Sequence, residues 1–252
     1  MKWVLMFFFG AMWGSFFFTL AVRYINGSFH DNRIKALFSA SRCPNCQQKI
    51  APIYLIPIIG YLVLKGRCNK CSSKINLSYP AFEVVYGVLF ILIVSKIGMN
   101  AYSFTIFLIT GLAISISIID TKILIIPDSL VIVFVALSIY PIVLNYSFKD
   151  NLFGLIMMFL FFSVILLIFP GSFGGGDLKF ASSIGLLLGV ELSIVTLEVA
   201  LISGSIIGTI YALIIKKGLR IKIPFAPFLA FGVITAFLYG RDIALVYYNI
   251  VY

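Results

Sequence analysis

The sequence predicts an all-α membrane protein, a polytopic bundle of about eight transmembrane helices interrupted by one small cysteine-bearing insert. Three observations carry this. The 252 residues are 62% hydrophobic and only 11% charged, against about 25% charged in an ordinary soluble domain. Mean hydropathy is +1.11. The apolar residues fall into separate runs of membrane-crossing or near-crossing length, and all four cysteines lie in the one stretch that breaks the pattern.

The first run, Trp3 to Val22, is too long for the core of a cleaved secretory signal, and its stronger charge, Arg23, follows it. It reads as an uncleaved first span with a cytoplasmic C-terminal end. From Arg23 to Tyr79 the composition turns basic. The one apolar interruption there, Ala51 to Leu64, is broken by Pro52, Pro57 and Gly60 and is too short to cross, so it reads as interfacial or re-entrant. Seven further runs follow: Ala81–Val94, Tyr102–Ile119, Ile126–Leu144, Phe153–Phe169, Phe180–Val190, Ile194–Ile215 and Phe225–Tyr239. The expected organisation is a first transmembrane helix at 1–22, a cytoplasmic insert at 23–79 and a transmembrane core at 80–252. No internal repeat stands out beyond the apolar bias.

Charge sets the topology. With the N-terminus outside and eight alternating spans, fifteen of the nineteen basic residues face the cytoplasm, leaving Lys2, Lys96, Lys149 and Arg241 outside. That matches the positive-inside bias. The net charge of +10 therefore reads as a membrane-orientation signal and not as a nucleic-acid footprint. The same topology puts Asp120 and Asp177 on one face.

Only nine acids are present. Asp31, Asp150, Asp242 and Glu191 read as solvated loop, tail or turn residues, and Glu198 as a snorkelling or paired acid near the outer end of its run. Asp177 differs: it sits in Phe173-Gly-Gly-Gly-Asp-Leu-Lys179, between two apolar runs. An acid there is costly without a task or a partner, and glycines permit unusual backbone or the close approach of another chain. Asp120 ends another apolar run and opens Asp120-Thr-Lys-Ile-Leu-Ile-Ile-Pro-Asp128. Two carboxylates brought to about 3 Å cannot both ionise near neutral pH, and such a pair can share a proton while acting on a water. The alternative for each is a helix cap, or neutralisation of Lys122 or Lys179. Asp128, directly after Pro127, reads as a first-turn acid.

Cys43-Pro-Asn-Cys46 and Cys68-Asn-Lys-Cys71 are separated by 21 residues. Four thiolates in two such knuckles suit a closed, structural, tetrahedral zinc site, and the reducing cytosol disfavours disulfides. A redox pair and unrelated thiols are the alternatives. His30, the single histidine, reads as a solvated residue of the insert.

Together these residues resemble the bacterial type IV prepilin leader peptidases, membrane aspartyl proteases of the GxGD class. The likeness rests on Gly14-Ser-Phe16, the two cysteine knuckles, Tyr79-Pro-Ala-Phe-Glu83, Ile119-Asp120 through Pro127-Asp128, Gly174-Gly-Gly-Asp-Leu-Lys179 and Ile223-Pro-Phe-Ala-Pro-Phe228. The resemblance implies removal of the short basic leader from prepilins or pseudopilins at the cytoplasmic face of the bacterial plasma membrane. Asp120 and Asp177 would be the catalytic pair, in an aspartyl peptidase core at 80–252, and Cys43, Cys46, Cys68 and Cys71 would hold zinc. It further implies N-methylation of the new terminus with S-adenosylmethionine. Two departures stand out: Tyr54-Leu-Ile-Pro57 replaces an Asp-Asn-Ile-Pro motif in the insert, which bears on methylation, and Ala226 replaces a glycine. The compact insert looks most like the competence-type branch. A proton-coupled transporter and a non-catalytic zinc-knuckle assembly protein of a secretion or competence machine are the rival readings. The one-sided placement of the acids and the Gly-Gly-Gly-Asp loop argue against them.

Overall fold

The computed structural model describes residues 1–29, 37, 39–145, 147–171, 173–215 and 223–251. The readings of His30 and Asp31, and of the cations Arg33, Lys35, Lys216, Lys217, Arg220 and Lys222, lie outside the described residues. Among the described residues the fold is helical, with two isolated β-bridges. Seven helices among the described residues are long and apolar enough to cross a membrane. The chain divides into two compact units, Met1–Lys96 and Ile97–Tyr252.

In the first unit, α1 (Lys2–Ile25) packs against α3 (Ser78–Ile97). Small residues set the approach. A Cβ on Gly10 or Gly14 would lie 2.7 Å from the Cβ of Phe90 or Tyr86, so Gly10-x-x-x-Gly14 lets the two backbones close up as membrane helices prefer. Phe17 stacks on Tyr86 and Phe18 on Phe82 beside this contact. Between the two helices lies the cysteine-bearing insert, with a 3₁₀ turn at Pro52–Leu55 and the short α2 (Ile59–Val63).

The second unit holds α4 (Ala101–Ile123), α5 (Asp128–Asn145), α6 (Phe148–Ile168), α7 (Gly175–Ile215) and α8 (Ala226–Val251). Asn100 and Ser103 cap α4 reciprocally through side chain and backbone. Helix α4 packs on α5 and α8, and α7 packs on α5, α6 and α8.

Helix α7 explains why eight apolar runs become seven helices. It contains one non-helical residue, Gly189, at φ 73 and ψ −172, a region open essentially to glycine. A straight helix from Gly175 to Gly204 would be about 44 Å long. Yet the Phe173 ring lies 4.8 Å from that of Phe225, and a Cβ on Gly204 would lie 3.5 Å from the Phe225 ring. The chain therefore doubles back at Gly189, and the Phe180–Val190 and Ile194–Ile215 runs are the two arms of a helical hairpin. Side chains at the start of α6 hold the bend. Asn151 donates to the carbonyls of Leu186 (2.8 Å) and Leu187 (3.2 Å), and the Val190 N–H donates to the Asp150 carboxylate at 3.4 Å. Asp150 thus serves a helix start, where the sequence read only a solvated loop acid.

Candidate active site and metal centre

Asp120 lies in the last turn of α4, 5% exposed. The helix ends at Leu124, which takes a left-handed φ of 53° and donates its N–H to the Asp120 carbonyl at 2.9 Å, a standard αL stop. The Asp120 side chain turns away from its own helix to the beginning of α8. Its Oδ2 accepts the Ala226 N–H at 3.2 Å, and the Phe225 N–H is a second donor. Ser117, one turn earlier, donates to the Ala226 carbonyl at 3.1 Å. The late Pro-Phe-Ala-Pro-Phe stretch is thus the clamp on the first aspartate. Nothing local in this stretch marks that role, because its partner is 106 residues away.

Asp177 is the third residue of α7. Its Oδ2 accepts the Gly174 N–H at 2.8 Å, while its own N–H donates to the Gly174 carbonyl at 3.1 Å. This is the acid half of a capping box, placed in the positive end of the helix dipole. The capping alternative is therefore realised at one oxygen. The other, Oδ1, is buried and makes no hydrogen bond to any described residue. An acid serving only as a cap has no reason to bury its second oxygen unsatisfied. Asp120 and Asp177 are close enough to interact electrostatically.

The glycines work through space. None of Gly174, Gly175 and Gly176 takes a positive φ. A Cβ on Gly176, however, would lie 2.9 Å from the Cβ of Ile126, whereas one on Gly175 would meet nothing within 4 Å. Gly176 is what lets the start of α7 close on the segment that follows Asp120. An ion pair makes a second link: Lys179 Nζ lies 2.8 Å from Asp128 Oδ1. Lys179 thus pairs with Asp128, an acid that the sequence did not set against it. Behind the loop Phe162, Phe173 and Phe225 form a cluster with ring centres 4.8–5.9 Å apart.

The four cysteines come together. All four Sγ atoms lie within 4.8 Å of one another, with Cys43–Cys71 at 3.8 Å and Cys46–Cys68 at 4.0 Å. A tetrahedral ion with bonds of about 2.3 Å sets its sulfurs roughly 3.8 Å apart, so the donor set fits such an ion. The two knuckles are copies of one unit, missed in sequence reading: Arg42-Cys-x-x-Cys-x-x-Lys-Ile50 recurs as Arg67-Cys-x-x-Cys-x-x-Lys-Ile75. Each closes with an antiparallel bridge, Arg42 with Lys49 and Arg67 with Lys74. Each also turns at a left-handed residue, Gln47 or Ser72, both at φ 56.

The backbone N–H of Cys46, with the Ser73 hydroxyl, holds the Cys43 thiol down at about 6, and Ser73 also lowers Cys71. For Cys46 the Gln48 N–H lowers the value, but desolvation and the neighbouring sulfurs outweigh it and push the thiol up to about 11. A cation held among the four sulfurs would favour all of them as thiolates.

Residues 8–97 match the model of the bacterial peptidase A24 N-terminal domain, and residues 106–213 that of the type IV leader peptidase family. A Bacillus subtilis protein named prepilin leader peptidase/N-methyltransferase is 32% identical over 95% of this chain and 95% of its own length. Proteins of the same name from Stutzerimonas stutzeri and Neisseria gonorrhoeae are each 29% identical. The first match covers 82% of this chain and 74% of the relative, the second 74% and 66%. No solved structure matches the chain.

Proposed function

The chain belongs to the type IV leader peptidase family, and from that premise we propose that Asp120 and Asp177 are its catalytic pair, cutting leader peptides from prepilins and pseudopilins. The single observation carrying the assignment is the asymmetry of Asp177. One oxygen is fixed by the Gly174 N–H, and the other is buried, unengaged and within electrostatic range of a second fixed acid.

The chemistry follows from that arrangement. Two neighbouring carboxylates share one proton. The ionised member takes a proton from water as its oxygen attacks the scissile carbonyl. The protonated member gives its proton to the leaving amine, so hydrolysis is balanced without a covalent intermediate. The pair titrates as a unit and carries no separate assignment. A transmembrane helix shields its peptide bonds, so cleavage at the membrane edge requires local unwinding. Acids at helix ends, beside a glycine-lined turn that can face an extended strand, meet that need. The pair faces the cytoplasm of a bacterial plasma membrane, where the basic leader lies.

The four cysteines hold a structural zinc ion that closes the insert and takes no part in hydrolysis. By the name its relatives carry, the protein also methylates the new N-terminal amine, with S-adenosylmethionine as donor. Co-expression with a pseudopilin tests the peptidase assignment. Asp120→Asn and Asp177→Asn each abolish leader removal while the protein remains in the membrane. Mass measurement of the mature N-terminus tests methylation, an unmodified amine marking a peptidase alone.

A further inference from the structure

The insert carries a surface that neither cleavage nor the metal centre uses. Ile53, Leu55, Ile56, Ile59, Leu62 and Val63 are all exposed, Leu62 at 65%. An acid-free, basic stretch surrounds them. From Ser39 to Phe82 there are six cations, Arg42, Lys49, Lys65, Arg67, Lys70 and Lys74, and no aspartate or glutamate. The duplicated knuckles bring Arg42, Lys49, Arg67 and Lys74 to the bridge positions of two like folds.

A buried tether fixes where the apolar segment sits. Ile58 holds a left-handed φ of 63°, a costly conformation for a β-branched residue. Its N–H donates to Glu83 Oε2 at 2.7 Å. Glu83 is 7% exposed and lies five residues into α3, a membrane-crossing helix. That is about 8 Å along the helix axis, within the depth at which interfacial segments lie. The segment is too short to cross, yet it is pinned beside the first turns of a helix that does.

We propose that the insert docks on the anionic phospholipid headgroups of the membrane its flanking helices span. Residues 53–63 enter below the headgroups, and the cations of the two knuckles rest on the phosphates. Charge selects this occupant. A second copy of the insert and a basic leader peptide are both repelled by its net positive charge, six cations against the two negative charges of a zinc–tetrathiolate centre, whereas an anionic leaflet attracts it, each cation near such a surface being worth about fivefold in partitioning. Glu83 is then a positioning residue, setting the depth of the segment through Ile58.

The test uses the full chain in proteoliposomes, with Trp3→Phe and Trp13→Phe removing the native indoles and Leu62→Trp reporting depth. Acyl-brominated phosphatidylglycerol should quench the introduced indole at least about twofold more than brominated phosphatidylcholine. Aqueous iodide should leave it unquenched. A companion variant, Arg42→Gln/Lys49→Gln/Arg67→Gln/Lys74→Gln, checked for retained zinc, should lose the preference for phosphatidylglycerol. Quenching by iodide and not by lipid overturns the proposal, as does equal quenching by the two lipids or a preference that survives charge removal. Shielding that appears only when a pseudopilin is added, or only at high protein density, overturns it in favour of a protein occupant. None of these readouts involves hydrolysis, so the proposal fails or stands separately from the assignment of Asp120 and Asp177.

Discussion

The cysteine centre and the aspartate site are assembled in opposite ways. In the insert, a nine-residue unit written twice supplies the ligands, the turn and the bridge of each knuckle from within itself. The only long-range requirement is that the two copies meet. At the aspartates, only one of the two acids is held locally. Asp120 on α4 is fixed by the start of α8, Asp177 is fixed by its own helix start, and the turn carrying it closes on Ile126. A structural ion site tolerates being self-contained. The proposed catalytic pair takes its two groups from separate elements, α4 and α7.

This contrast orders the expected effects. The largest falls on the metal centre. Structural zinc contributes on the order of 10 kcal/mol where no preformed site exists. Cys43→Ser or strong chelation should therefore open the insert to protease and lower protein level, with metal analysis showing the ion lost. The Cys43 thiol is held down at about 6, below the value of an unfolded thiol. In the metal-free insert its stabilising ionisation is therefore present above the unfolded value and lost as pH falls through about 6. Protons compete with a bound ion for the same thiolates, so metal release measured by a chromogenic chelator should rise as pH falls.

At the aspartate site, Gly176→Val should cost about a hundredfold in leader removal, because misplacing a catalytic group by about 1 Å costs that much. Gly175→Ala, with open space at its Cβ, should stay within a few-fold of the parent, about the scale of a helix-start substitution. Equal effects from the two would break the claim that Gly176 acts through Ile126. A smaller loss is expected at the hairpin. Asn151→Leu strands two carbonyls and should lower thermal stability by about 1–3 kcal/mol. Smallest is Asp128→Asn, which removes an exposed ion pair worth at most about 1 kcal/mol and should leave leader removal within about fivefold.

What the sequence made legible follows the same divide. Apolar runs are read by length alone, so each appears in a helix of the structure, and paired cysteines announce their own geometry. The hairpin at Gly189 was legible only as two adjoining runs, since the side chains that clamp it, Asp150 and Asn151, lie some forty residues upstream. The Ala226 N–H on Asp120 and the Ile58 N–H on Glu83 are backbone groups, whose donor role no residue identity advertises. The repeat of the knuckles was present in the letters, hidden because the copies share only their first, second, fifth, eighth and ninth positions.

The central claim is that Asp120 and Asp177 act as one unit. The most direct measurement compares leader removal by Asp120→Asn, Asp177→Asn and the double variant, each purified in the same lipid and given the same pseudopilin. The account predicts that each single change removes activity by about 10³-fold or more and that the double variant is no worse, as for groups working together. Normal processing by either single variant, or losses that multiply in the double one, would contradict it.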